Sequence, residues 1–233
     1  MTEMVLDQVY IPETLEELPK HWNAGFEKFI QAVGTGQLPP GTTLTQAQLC
    51  DLLDLSLTPL RETLVLLEEY GLIEVKQRAG VTILNPELSF VRENYQFRIL
   101  IEEEALRSFA ASVNDDWLKA VRDRHLMLID RLEREPDNMK NVAAFVALDQ
   151  FVHSSFVEAL NNKSMLATHN RLQQNIRMVR SMQKNAAYVR NLLSAANEHL
   201  AIFEQIEKKD HEGAAQSLRR HFEASIYRAV VSY

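Results

Sequence analysis

Between Thr43 and Gly71 the apolar residues fall at spacings that call for two short helices meeting at a tight turn. Thr45 followed by Gln48 has the spacing of a capping box, and Leu49, Leu52 and Leu53 give the first helix one apolar face. Asp54-Leu55 interrupts it. Ser56 or Thr58 then caps a second helix, and Pro59 is tolerated in its first turn because the N–H it lacks has no partner there anyway. Leu60, Leu64 and Leu67 recur at i, i+4 and i+7, which turns that stripe inward and leaves Leu57, Thr58, Arg61 and Glu62 near the exposed N-terminal end. The pattern is a helix-turn-helix, and those exposed positions are the ones that would meet DNA.

The residues that follow supply a wing. Leu72 to Lys76 and Val81 to Leu84 read as two short strands joined by the polar turn Gln77-Arg78-Ala79-Gly80. Two helices and a hairpin also suit an ordinary small α+β module, so the pattern alone leaves that alternative open. Before the motif, a helix over Asn23 to Val33 carries Phe26, Phe29, Ile30 and Val33 on one side. Gly34-Thr35-Gly36 ends it.

The ordered set Gly36-Gln37-Leu38-Pro39-Pro40-Gly41, Leu44, Leu49, Leu53, Ser56, Thr58-Pro59-Leu60-Arg61-Glu62, Leu64, Leu67, Gly71-Leu72 and Gly80 resembles the winged-helix domain of GntR-type bacterial transcription regulators. The resemblance implies DNA contacts from Ser56, Thr58, Arg61, Lys76, Arg78 and Gly80. Three positions depart from the family's pattern: Asp54 stands where a turn glycine is usual, Gln46 where an acidic residue is, and Leu57 where an arginine follows the serine. These departures bear on the DNA sequence that is read more than on the fold.

Charge sharpens the expectation. Up to Asn85 there are twelve Asp and Glu against five Lys and Arg, which accounts for the whole formal net charge of −7; the remainder is balanced at twenty of each. Non-specific DNA affinity comes from basic residues facing phosphates, so this segment should bind weakly except where Arg61, Lys76 and Arg78 converge, or where a dimer doubles the contacts. No apolar run of membrane-spanning length occurs, and the acidic opening segment has neither the basic nor the apolar region of an export signal, so a cytoplasmic protein with no membrane partner is expected. The single cysteine, Cys50, reads as a small packed side chain. Residues 1–20 contain two prolines and no sustained period, and read as an N-terminal arm preceding a winged domain over 21–85.

Asn85-Pro86 marks a boundary, and no glycine occurs between Gly80 and Gly213. Breaks at Asn114-Asp115, Pro136-Asp137, Asn161-Asn162, about Lys184 to Ala187, and Lys209-Asp210 divide 86–233 into six helices. The fold expected is therefore mainly α: a winged helix-turn-helix followed by an all-α bundle.

Within that bundle Asp149 and His153 are four apart and leave one face of its third helix. His199 and His221 sit among apolar neighbours in its last two helices. If these helices meet, one carboxylate and three imidazoles converge, a donor set suited to Zn, Ni, Mn or Fe over Mg or Ca. Singly, each histidine has a structural or exposed alternative. His21, His125, His169 and His211 lie in polar surroundings and read as surface residues; Trp22 and Trp117 suit packing.

Asp149, His153, His199 and His221 also fall in the order and helices of the metal-binding residues of the FCD effector-binding domain, and Tyr95-Gln96-Phe97-Arg98-Ile99-Leu100-Ile101-Glu102 is similar to its first-helix segment. That resemblance implies a divalent metal whose remaining positions accept the carboxylate of a small organic or sugar acid. It makes Arg98 a candidate to hold the acid, with Asn175 and Arg177 as secondary ones. The alternatives are a salt bridge from Arg98 to Glu102 and a solvated helix face for Asn175 and Arg177. The implied protein is a homodimeric, ligand-responsive regulator of double-stranded operator DNA and not an enzyme. A helical interaction protein with degenerate DNA binding, or a metalloenzyme built on the three histidines and aspartate, are the competing readings.

Overall fold

The computed structural model describes residues 10–14, 17, 23–76, 79–85, 87–182 and 185–231. Most of the expected arm, with His21, Trp22, Gln77, Arg78 and Pro86, lies outside the described residues.

Helix α1 (Ala24–Gly34) begins where the Asn23 side chain accepts from the Phe26 amide at 3.0 Å, and it buries Phe26, Phe29, Ile30 and Val33. Strand β1 (Thr43–Leu44) leads into α2 (Gln46–Leu53), whose capping box is complete: Gln48 N donates to Thr45 Oγ1 at 3.2 Å, and Thr45 N donates to Gln48 Oε1 at 2.9 Å. Helix α3 (Leu57–Glu69) starts from Ser56, whose side chain makes no cap bond. Strands β2 (Ile73–Lys76) and β3 (Gly80–Ile83) complete an antiparallel sheet in the order β1-β3-β2, with Thr43 and Glu74 both opposite Thr82.

One expectation needs correction here, and one element is added. Leu52 is 37% exposed, because the eight-residue α2 buries only the narrow face of Leu49 and Leu53 and leaves Leu52 at its margin. Strand β1 is an addition: two residues carry no alternation for a sequence reading to detect. Elsewhere the close packing is visible in single residues. A Cβ on Gly25 would sit 2.1 Å from Thr63 Oγ1, a hydroxyl that bonds Pro59 O and Asn23 Oδ1 at 2.8 and 2.9 Å. Cys50 is half-buried against the same core.

The chain then forms α4 (Leu88–Ser112), α5 (Asp115–Arg134), α6 (Met139–Glu158), α7 (Lys163–Ser181), α8 (Asn185–Glu207) and α9 (His211–Val231). Asn114 caps α5 by accepting from Trp117 N at 2.7 Å, Asn138 caps α6, and Asp210 Oδ1 accepts from Gly213 N in the first turn of α9. Asn161 and Lys209, with φ of 50° and 59°, turn the chain between helices. Among the described residues no helix is long and apolar enough to cross a membrane.

By proximity the chain divides into two compact units. One comprises Met1–Leu18, Ile101–Asn162 and Val189–His221; the other comprises Pro19–Leu100, Lys163–Tyr188 and Phe222–Tyr233. The core of the second is built on Phe26, Phe29, Leu49, Leu60, Leu67 and Ile83, and it includes Met178 of α7. In the first unit Trp117 of α5 meets Phe109 edge-on at 4.8 Å and lies 6.0 Å from Phe151, a packing role in line with its reading from sequence.

Candidate metal centre and nucleic-acid interface

The N-terminal end of α3 is presented as the stripe of Leu60, Leu64 and Leu67 requires. Those three are buried, while Ser56, Leu57, Thr58, Arg61 and Glu62 are exposed, Leu57 by 43%. Arg61 Nε donates to Gln46 Oε1 of α2 at 3.4 Å, so the guanidinium is steadied from the first helix of the motif. At the end of β2, Lys76 pairs with Glu74 at 3.0 Å, both well exposed. Gly80 opens β3 at φ +107°, and a Cβ there would lie 2.6 Å from the Leu44 carbonyl oxygen. Its place in the pattern thus has a conformational cause. A helix N-terminus with exposed hydroxyls and an arginine can hold phosphate oxygens and read base edges.

In the other unit, α6, α8 and α9 bring the four expected metal ligands together. One ring nitrogen each from His153, His199 and His221 lies within 4.8 Å of the others. Asp149 Oδ1 is 3.9 Å from His153 Nε2 and 3.7 Å from His199 Nε2. All three histidines are fully buried, and the rings of His199 and His221 approach to 4.7 Å between centroids.

Three further residues, none of which the sequence reading places beside the metal ligands, hold these rings from behind. Nδ1 of His153 donates to Glu102 of α4 at 2.5 Å, and Nδ1 of His221 donates to Glu198 of α8 at 2.7 Å. Nδ1 of His199 lies 3.0 Å from Nε2 of His125 of α5, whose own Nδ1 is 2.8 Å from the Val121 carbonyl. Burial in this apolar surround pulls His221 down to about 4, against the pull of Glu198, and pulls His125 down to about 4 in the same way. Rings oriented from behind and gathered beside one carboxylate fit a divalent transition ion.

The assignment of His125 and His169 to the surface is overturned, since both are fully buried. The sequence carried a signal for His125: it continues the α5 stripe of Leu118, Val121, Leu128 and Leu132 at steps of three and four. Glu102 likewise falls between Ile99 and Leu106 on α4. His169 bonds Gln173 one turn along α7. His211, at the start of α9, is half-buried.

Arg98 is 2% exposed, with its guanidinium carbon 4.8 Å over the Phe222 ring, a cation–π contact. Asn175 is buried and donates to Asn94 Oδ1 at 2.9 Å, which corrects the alternative of a solvated face. Arg177 is half-buried and clasps Glu27 of α1 with both terminal nitrogens, one of them also reaching Gln174 Oε1 at 3.1 Å.

A winged helix-turn-helix joined to a helical bundle with a buried histidine cluster has the build of a bacterial transcription regulator. The family model described as bacterial regulatory proteins, gntR family, matches residues 26–83, and that of the FCD domain matches residues 93–224. The chain belongs to the GntR family of regulators that carry an FCD domain; it is a DNA-binding transcription regulator and not an enzyme. It is 23% identical over 197 residues to YdhC, an uncharacterised HTH-type transcriptional regulator of Bacillus subtilis, covering 84% of this chain and 85% of that protein. It is 28% identical over 206 residues to BphR, a further uncharacterised regulator of this type from Paraburkholderia xenovorans, covering 87% and 82%. The fold is shared with E. coli McbR/YncC at a TM-score of 0.67, 16% identity and 96% and 100% coverage. It is shared also with a GntR regulator from Rhodococcus sp. RHA1 at 0.64, 21% identity and 89% and 96% coverage.

Proposed function

We propose that this regulator is responsive to a small carboxylic acid through a divalent metal held by Asp149, His153, His199 and His221. The observation that carries the reading is their convergence, with the far side of each ring held by Glu102, His125 or Glu198. Nitrogen donors and a single carboxylate favour Zn, Ni, Mn or Fe. Bound there, the ion supplies a positive centre able to take a carboxylate oxygen of the effector. Arg98, Asn175 and Arg177 are the proposed effector-binding side chains. Of these, Arg177 also holds Glu27 and Asn175 also holds Asn94.

The DNA half of the proposal assigns base and phosphate contacts to Ser56, Thr58 and Arg61 of the recognition helix and to Lys76, Arg78 and Gly80 of the wing. A homodimer working in the cytoplasm would match a two-fold operator, each protomer reading one half-site. The acid alters DNA affinity only by its differential affinity for two arrangements of the protein, about 1 to 3 kcal/mol in typical coupling.

The test is selection of genomic fragments by the purified protein at about 0.1 to 0.2 M salt, where non-specific phosphate contacts are weakened. Metal content is measured on the same preparation, and selection is repeated with candidate acids. A recurrent palindrome whose retention changes with an acid, in a metal-containing protein, supports the reading. Enrichment that ignores both metal and acids leaves a regulator without this effector site.

A further inference from the structure

His125 belongs to no metal-binding motif, yet its two hydrogen bonds define the protonation of the ring in front of it. Its Nδ1 lies 2.8 Å from the carbonyl oxygen of Val121, one turn back along α5. A carbonyl can only accept, so that nitrogen carries the proton. In the neutral imidazole Nε2 then bears the lone pair, and it lies 3.0 Å from Nδ1 of His199. Two lone pairs cannot face each other at that distance, so His199 carries its proton on Nδ1 and its lone pair on Nε2. That Nε2 is the atom 3.7 Å from Asp149.

We propose that His125 is a positioning residue for His199, fixing the tautomer and ring plane in which Nε2 of His199 can ligate a metal. The inference rests on the metal reading given above. It identifies His125 as a neutral counterpart of Glu102 and Glu198, which orient His153 and His221 by accepting from their Nδ1 atoms. The choice of an imidazole has a physical reason. Asp149, Glu102 and Glu198 already bring three carboxylates to the cluster, and a fourth would add further negative charge beside buried rings. An imidazole orients its neighbour without that charge. Its plane is set by edge-on contacts with Phe145 at 6.0 Å and Phe203 at 5.1 Å.

Two measurements test this on the full-length protein. Long-range imidazole nitrogen NMR on the metal-free protein should show both His125 and His199 protonated at Nδ1. Protonation of His199 at Nε2 instead would overturn the relay. Competition between the protein and a chromophoric chelator for Zn or Co then gives metal affinity for wild type, His125→Phe and His125→Gln. Phenylalanine suits the aromatic surround but accepts no hydrogen bond, and affinity should fall about 10- to 100-fold. Glutamine places an acceptor near the site of Nε2 and should recover most of the loss, which a purely space-filling role would not explain. Unchanged affinity in both variants overturns the proposal while leaving the metal site intact. Wild type that takes up no metal overturns the metal reading, and the role of His125 with it. Should the phenylalanine variant not fold, the glutamine variant and the NMR assignment still decide.

Discussion

Arg61 on the recognition helix and Gln46 on the helix before it are joined side chain to side chain, Nε to Oε1 at 3.4 Å. The bond uses one of the five N–H donors of the guanidinium, so four remain available for a guanine edge or a phosphate. Arg61→Ala should lower operator affinity about 10-fold or more with an unchanged circular dichroism spectrum. Gln46→Ala should cost less, because it removes the support and not the contact. Equal affinity for wild type and Arg61→Ala in a binding titration would remove Arg61 from the interface.

Leu57 offers a second handle on recognition. It is 43% exposed one residue after the helix cap and carries no donor, so any base contact it makes is apolar, as to a thymine methyl. Leu57→Arg should raise affinity for unrelated DNA and steepen the log–log salt dependence by about 1 for each added phosphate contact. The salt series is the readout; an unaltered slope would place Leu57 away from the DNA backbone.

Metal should stabilise the protein by mass action, about 2.7 kcal/mol at a free concentration a hundred times Kd. In thermal unfolding, Zn or Ni should raise the Tm of wild type and a chelator should lower it. His199→Ala should abolish that response. A Tm shift of equal size in the variant would show that the metal binds elsewhere.

Acid should weaken the metal-free protein through His125 and His221. Both titrate near 6.5 in the unfolded chain and near 4 when buried, so as the pH falls the unfolded state takes up protons first. Their stabilising contribution is full above about pH 6.5 and declines between there and about pH 4, on the order of 3 kcal/mol per histidine. Urea midpoints at pH 7, 5.5 and 4.5 with chelator present should fall in that order, and His125→Phe should flatten the trend.

Asp54 ends α2 with φ of 48°, in the left-handed region, and its carbonyl oxygen accepts from Lys28 Nζ at 2.8 Å. Asn tolerates this conformation nearly as well as Asp, whereas a β-branched side chain does not. Asp54→Asn should leave stability within about 0.5 kcal/mol, and Asp54→Val should lower it by about 1 to 2 kcal/mol. Denaturant titration of the two variants distinguishes a backbone cause from a charge cause, since both remove the carboxylate.

What was legible in the sequence was local. The capping box of Thr45 and Gln48, the buried stripe of Leu60, Leu64 and Leu67, and the breaks before Asp115 and at Asn161 each depend on residues a few positions apart, and each holds in the structure. Spacing and apolar neighbours single out Asp149, His153, His199 and His221, but their convergence is conditional on the helices meeting until the resemblance supports it, because contacts across α6, α8 and α9 have no local signature. Glu102, Glu198 and His125 were missed for a related reason. A polar residue among polar neighbours reads as solvated until the helix wheel is drawn, and His125 then falls on the buried stripe of α5. His169 and Asn175 show the remaining limit: α7 buries side-chain amides and imidazole against polar partners, which hydrophobic periodicity does not score.

Met178 of α7 is fully buried in the same core as Phe26 and Leu60, and Arg177 beside it clasps Glu27 of α1. For anyone exchanging reading heads between regulators of this kind, the portable piece is therefore discontinuous. A graft of the winged segment severed at Asn85 would leave a methionine-sized hole in its floor and strand an acid on its first helix, unless the recipient's own seventh helix offers a matching plug and cation.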